Sequence, residues 1–166
     1  MKKTLLLFGI VLSFLFFSNG IKAQTTQQQL NLAEVWKPFI GTWQANVGKD
    51  SVEVWDYKPY GKAVVINVYN IVKGLKNPVY INNVIYDSKD AKYKGFVLYN
   101  DGGYNTWIAT FNAEKNTFLV DIVNDLNPET VWYKWEQVLV NPEEWTWTAF
   151  NKDGVKQWET KFTKVK

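Results

Sequence analysis

The chain has 166 residues, with 19 basic side chains, all Lys, against 16 Asp and Glu, and no Cys, His or Arg. Those absences exclude thiolate nucleophiles, disulfides, imidazole metal ligands and a Ser-His-Asp triad. They also exclude the guanidinium fork that proteins use to clamp carboxylates and phosphates.

The N-terminus opens with the basic Met1-Lys2-Lys3 and continues into an apolar run from Leu5 to Phe17. Ser18-Asn19-Gly20 and Ile21-Lys22-Ala23 follow. This order predicts a signal peptide over residues 1–23, cleaved after Ala23, because the apolar run is too short to span a bilayer. The mature protein would begin at Gln24 in the periplasm or outside the cell, with no membrane span. Three of the 19 lysines and none of the acids lie in that leader, leaving 16 Lys against 16 acids in residues 24–166. A balanced charge with scattered lysines is not the footprint of a nucleic-acid binder, which needs a clustered basic face.

Residues 24–166 read as one domain. Gln24 to Asn31 are polar, and Leu30, Ala33 and Val35-Trp36 suggest a short helical turn that stops near Pro38. From Ile40 onward the chain becomes short runs rich in Val, Ile, Thr, Tyr and Trp, which suit a pleated surface. Turn-forming clusters separate them, among them Gly48-Lys49-Asp50, Pro59-Tyr60-Gly61, Gly74 to Pro78, Asp101-Gly102-Gly103, Asn127-Pro128 and Lys152-Asp153-Gly154. Ten strands are predicted, over residues 40–47, 51–58, 62–72, 79–86, 92–99, 104–111, 117–124, 130–139, 144–150 and 155–165. No connection is long enough for a crossover helix, so neighbours should pair antiparallel. The expected fold is all-β: a single up-and-down antiparallel barrel, closed because closure removes exposed edges.

Alternation assigns some faces. In the last strand Trp158, Thr160 and Phe162 read as interior, and Gln157, Glu159, Lys161 and Thr163 as solvent-facing. In the eighth strand Tyr133, Trp135 and Gln137 read as interior, with Trp132, Lys134 and Glu136 outside. Polarity leaves the faces of the second strand (Glu53, Trp55 and Tyr57 against Val52, Val54 and Asp56) and of the sixth strand undecided. Aromatics mixed with Thr, Tyr and Gln on interior faces point to a cavity that holds a ligand with some polarity, since a solid core favours Leu, Ile and Val. The predicted ligand-binding residues are Tyr57, Tyr133, Trp135, Trp158, Thr160 and Phe162.

The segment Trp36-Lys37-Pro38-Phe39-Ile40-Gly41-Thr42-Trp43, a helical turn leading into Gly-x-Trp at the first strand, resembles the calycin superfamily, the lipocalins and fatty-acid-binding proteins. The layout over about residues 30–166 looks like the ten-stranded members, including bacterial lipocalin-like domains of unknown function. The resemblance implies that Gly41 allows close backbone approach and that Trp43 plugs one barrel end. Two departures stand out. The chain has no Arg for the fatty-acid carboxylate clamp, where it reads Trp158-Glu159-Thr160-Lys161-Phe162, and no His for haem.

No motif indicates a cofactor or a metal, and no residue is assigned as catalytic. The leading reading is an exported binding protein for a small apolar or weakly polar ligand. A second is a barrel enzyme of isomerase or hydratase type, using Glu53 or Asp121 beside Tyr57 or Tyr133. A third is an interaction domain without a small ligand.

Overall fold

The computed structural model describes residues 34–166, so the expected leader and its cleavage site lie outside the described residues. Ten strands follow a short 3-10 turn, Lys37–Phe39. They are β1 (Gly41–Gly48), β2 (Ser51–Tyr60), β3 (Ala63–Val72), β4 (Leu75–Asp87), β5 (Lys92–Tyr99), β6 (Tyr104–Asn112), β7 (Thr117–Val123), β8 (Tyr133–Asn141), β9 (Glu144–Asn151) and β10 (Lys156–Lys164). Each pairs antiparallel with its sequence neighbours, and β1 pairs with β10, so the sheet is a closed up-and-down barrel.

Three local departures from the sequence reading have physical causes. The helical turn does not stop before Pro38 but contains it, early in the turn where a missing N–H costs nothing. The expected loop from Gly74 to Pro78 shrinks to the tight turn at Lys73-Gly74, both with positive φ, and β4 begins at Leu75. Pro78 then lies inside a strand, opposite a register shift between Val68 and Tyr69, where a bulge spares the ladder its N–H. The β7–β8 connection, residues 124–132, is longer than expected. It folds back along the outer side of β6, where Leu126 N–H donates to the Thr106 hydroxyl at 3.0 Å. That cover explains why Thr106 is buried although its neighbours Asn105 and Trp107 point inward.

The lower end of the barrel, where the 3-10 turn enters, is solid. Trp36, Phe39, Trp43, Tyr57, Tyr93, Phe118, Trp145 and Phe162 are all buried there. Trp36 stacks on Phe118 at 4.3 Å, and Trp145 lies parallel to Phe162 at 4.2 Å. The Trp43 indole N–H donates to the Phe39 carbonyl at 2.7 Å, tying the first strand to the turn before it.

Candidate functional site

The upper end of the barrel differs. The interior faces of β2, β9, β8 and β10 carry a run of indoles that climbs from the buried centre to solvent. Trp55 meets Trp147 at 5.9 Å, and Trp147 in turn meets Trp135 at 5.0 Å and Trp158 at 5.8 Å. Trp55 is 3% exposed whereas Trp158 is 51% exposed, so the run leads out of the barrel mouth. Tyr133, opposite Ile122 and Asn151 at the same end, is 50% exposed.

This divides the residues predicted for ligand binding. Tyr133, Trp135, Trp158 and Thr160 gather at the mouth and upper wall, with Trp158 opposite Ala149 and Thr160 opposite Trp147. Phe162 and Tyr57 lie lower, packed into the plug. Trp43 fills the lower end, the position that the resemblance implied. Gly41 has φ 124°, a conformation that side chains with a Cβ rarely adopt, and a Cβ there would come within 3.2 Å of the flexible end of the Lys164 side chain.

The structure also resolves the two undecided strands. Glu53, Trp55 and Tyr57 face inward on β2, and Asn105, Trp107, Ala109 and Phe111 on β6. Asn82 completes the interior, accepting from the Trp107 indole at 3.0 Å. Trp107 fits because its cross-strand partner is Gly95, where an added Cβ would fall 1.9 Å from the ring. Among the described voids, the one enclosed between Trp55, Asn82, Trp107, Trp135, Gln137 and Trp147 measures about 20 Å³. That holds roughly one water. More room lies at the seam, where β1 and β10 pair only at Trp43–Lys164 and Gln44–Thr163. Above this point they diverge, and a groove of about 520 Å³ opens between Ala45–Val47 and Glu159–Lys161. The seam therefore carries a surface groove beside the mouth.

Glu53 is the inward-facing carboxylate of this upper region. It accepts a hydrogen bond from the Trp55 indole N–H, and no ion pair among the described residues includes it. Burial raises its pKa above the usual glutamate range, against a lowering by that hydrogen bond. Tyr80, across the barrel wall and 5.9 Å from Trp55, has its hydroxyl pKa raised by burial and then by the Glu53 charge. Asp121 lies elsewhere, on the outer face of β7 opposite Lys134. Tyr57 shares the inner face with Glu53, but its hydroxyl accepts from Gln137 Nε2 at 3.0 Å, and burial holds its proton more tightly than usual. That makes it a poor acid. No group of three or more potential metal-ligating acids occurs among the described residues.

No protein-family model matches the chain, and no curated protein matches it. The closed ten-stranded antiparallel barrel is compatible with a calycin-like fold.

Proposed function

We propose that this is an exported, calycin-type binding protein that holds a small apolar or weakly polar ligand at the upper mouth of its barrel. The observation that carries the reading is the graded indole run from buried Trp55 to Trp147, which meets both Trp135 and half-exposed Trp158. Wide, flat, rigid side chains at a barrel opening give a ligand large contact area at little entropic cost. The enclosed void of about 20 Å³ is too small for such a ligand. The ligand therefore rests above Trp55 as a floor, against Trp147, Trp135 and Trp158 as walls, with the seam groove beside Thr160 next to it. The filled lower half gives the mouth a rigid base. The leader-like segment before Gln24 supports action in the periplasm or outside the cell.

Titration with the neutral apolar fluorophore N-phenyl-1-naphthylamine tests the binding claim. Saturable binding with quenching of tryptophan emission is expected, weakened in Trp158→Ala and Trp147→Ala. Absence of saturable binding overturns the reading and favours an interaction domain. N-terminal sequencing of protein from the periplasm or medium tests export and should start at Gln24; an intact Met1 on a membrane-bound chain overturns it.

A further inference from the structure

The mouth carries more hydrogen-bond acceptor capacity than its own side chains satisfy. Glu53 on β2 sits directly opposite Asn70 on β3, and such cross-strand partners place their Cβ atoms about 5 Å apart. The Asn70 side-chain oxygen is buried and has no hydrogen-bond partner. Glu53, ionised, is acceptor-only. The donor recorded for it is the Trp55 indole, which leaves further lone pairs, and no lysine pairs with it among the described residues. The Asn70 amide has donors of its own on its nitrogen, but its buried oxygen and the spare Glu53 lone pairs both remain open to a donor from outside the chain.

The surroundings narrow the donor. Trp55 and Tyr80 stand nearly perpendicular, 84° apart with centroids 5.9 Å from each other, beside Glu53. Aromatic faces attract a cation through their quadrupole. The same chain already uses this contact at its surface, where the Lys76 ammonium lies 3.7 Å from the Tyr69 ring. A carboxylate head would meet the Glu53 charge and the Asn70 oxygen together. A hydroxyl has one proton to donate, whereas a protonated primary amine has three.

We infer that the mouth selects apolar ligands whose polar head is a protonated amine, gripped by Glu53 and Asn70 against Trp55 and Tyr80. The inference rests on the proposed binding function and names its ligand class. The head lies beside the divergent part of the seam, because Glu53 pairs with Ala45 of β1, where β1 has left β10. The apolar body of the ligand then extends over the tryptophan walls.

Isothermal titration with 2-phenylethylamine, 2-phenylethanol and phenylacetate, of nearly equal size and different head, tests this on the mature protein. The amine should bind most tightly and the carboxylate least. Glu53→Gln, which keeps size and the acceptor for the Trp55 indole, should lower amine affinity about tenfold or more and leave the alcohol nearly unchanged. Asn70→Leu should weaken the amine by a smaller factor. Amine and alcohol bound equally by the wild type, or an amine affinity indifferent to Glu53→Gln in a variant of native circular dichroism, overturns the inference. In that case saturable N-phenyl-1-naphthylamine binding leaves the wider binding reading standing. If neither the neutral probe nor any of the three compounds binds, both fall.

Discussion

The two ends of this barrel are built from the same residue types and behave differently. At the lower end Trp36, Phe39, Trp43, Trp145 and Phe162 close on one another, each at 6% exposure or less. At the upper end Trp135, Trp147 and Trp158 are also in ring contact, yet they grade outward until half of Trp158 meets solvent. What differs is the cover. The 3-10 turn lays Trp36 and Phe39 across the lower opening, and β1 meets β10 there. No such element caps the upper opening among the described residues, and the seam opens on that side. A tryptophan is thus core or candidate site according to what lies over it, and its identity does not decide.

The largest effect that would test this contrast is at the plug. Trp43→Ala removes a fully buried indole and its bond to the Phe39 carbonyl, and should cost about 3–5 kcal/mol. Trp158→Ala, with half the side chain already in water, should cost well under half of that. Denaturant midpoints of the two variants give the comparison, and equal midpoints would erase the distinction between the ends.

Next in size is Gly95→Ala. A methyl at 1.9 Å from the Trp107 ring must displace the indole and break its bond to Asn82, so a loss of about 1–3 kcal/mol is expected from overpacking. Unfolding curves read it directly. Gly61→Ala, whose Cβ would meet nothing within 4 Å but whose φ is 60°, separates the steric from the backbone cost.

Glu53 should reveal itself through pH. A carboxyl whose pKa is raised in the folded state binds its proton more tightly folded than unfolded. Its contribution to stability therefore falls as pH rises from the ordinary value of 4.5 through the raised one. Glu53→Gln should remove that fall, so the variant should gain on the wild type as pH rises above the ordinary value of 4.5. Thermal midpoints across that range check the sign; a variant that loses ground with rising pH would show that Glu53 is held by charge partners instead of being opposed by burial.

The smallest effect is expected outside the barrel. Lys161 pairs with Glu144 at 2.7 Å on the outer face, with most of its side chain in water. Lys161→Ala should change stability by no more than about 0.5 kcal/mol, and 1 M salt should remove even that. A larger loss would mean that the seam depends on its outer charges.

Much of the fold was legible because local chemistry is strong here. Turns rich in Gly, Asn and Asp set the strand count, and short connections required an antiparallel meander. In β8 and β10, charged residues alternating with aromatics gave the correct inward face, since a one-residue slip would bury Lys134 or Lys161. In β2 and β6 that signal failed. Both faces of β2 carry one acid and two large apolar side chains, so only the ladder with β1 and β3 decides that Glu53, Trp55 and Tyr57 look inward.

The candidate site was legible to a lesser degree. Sequence reasoning reached Trp135, Trp158, Thr160 and Tyr133, and grouped them with Phe162 and Tyr57, because alternation reports a face but not a height along the barrel. Height comes from stagger between strands, which sets Phe162 against Trp145 in the plug and Trp158 near the mouth. Trp147 and Asn70 were missed. Trp147 stands in a strand with aromatics at Trp145, Trp147 and Phe150, and its role follows from where it meets Trp55, Trp135 and Trp158. Nothing about Asn70 in one dimension shows that it faces Glu53.

The sequence by itself determined an all-β chain of ten strands, because turn chemistry and side-chain period act within a few residues of one another. Tertiary structure alone decided which end is filled, where β1 and β10 diverge, and that Glu53 stands opposite an Asn70 whose buried side-chain oxygen has no partner. Those properties depend on closure of the sheet, which brings together residues as distant as Tyr57 and Gln137 and fixes the level at which each one stands.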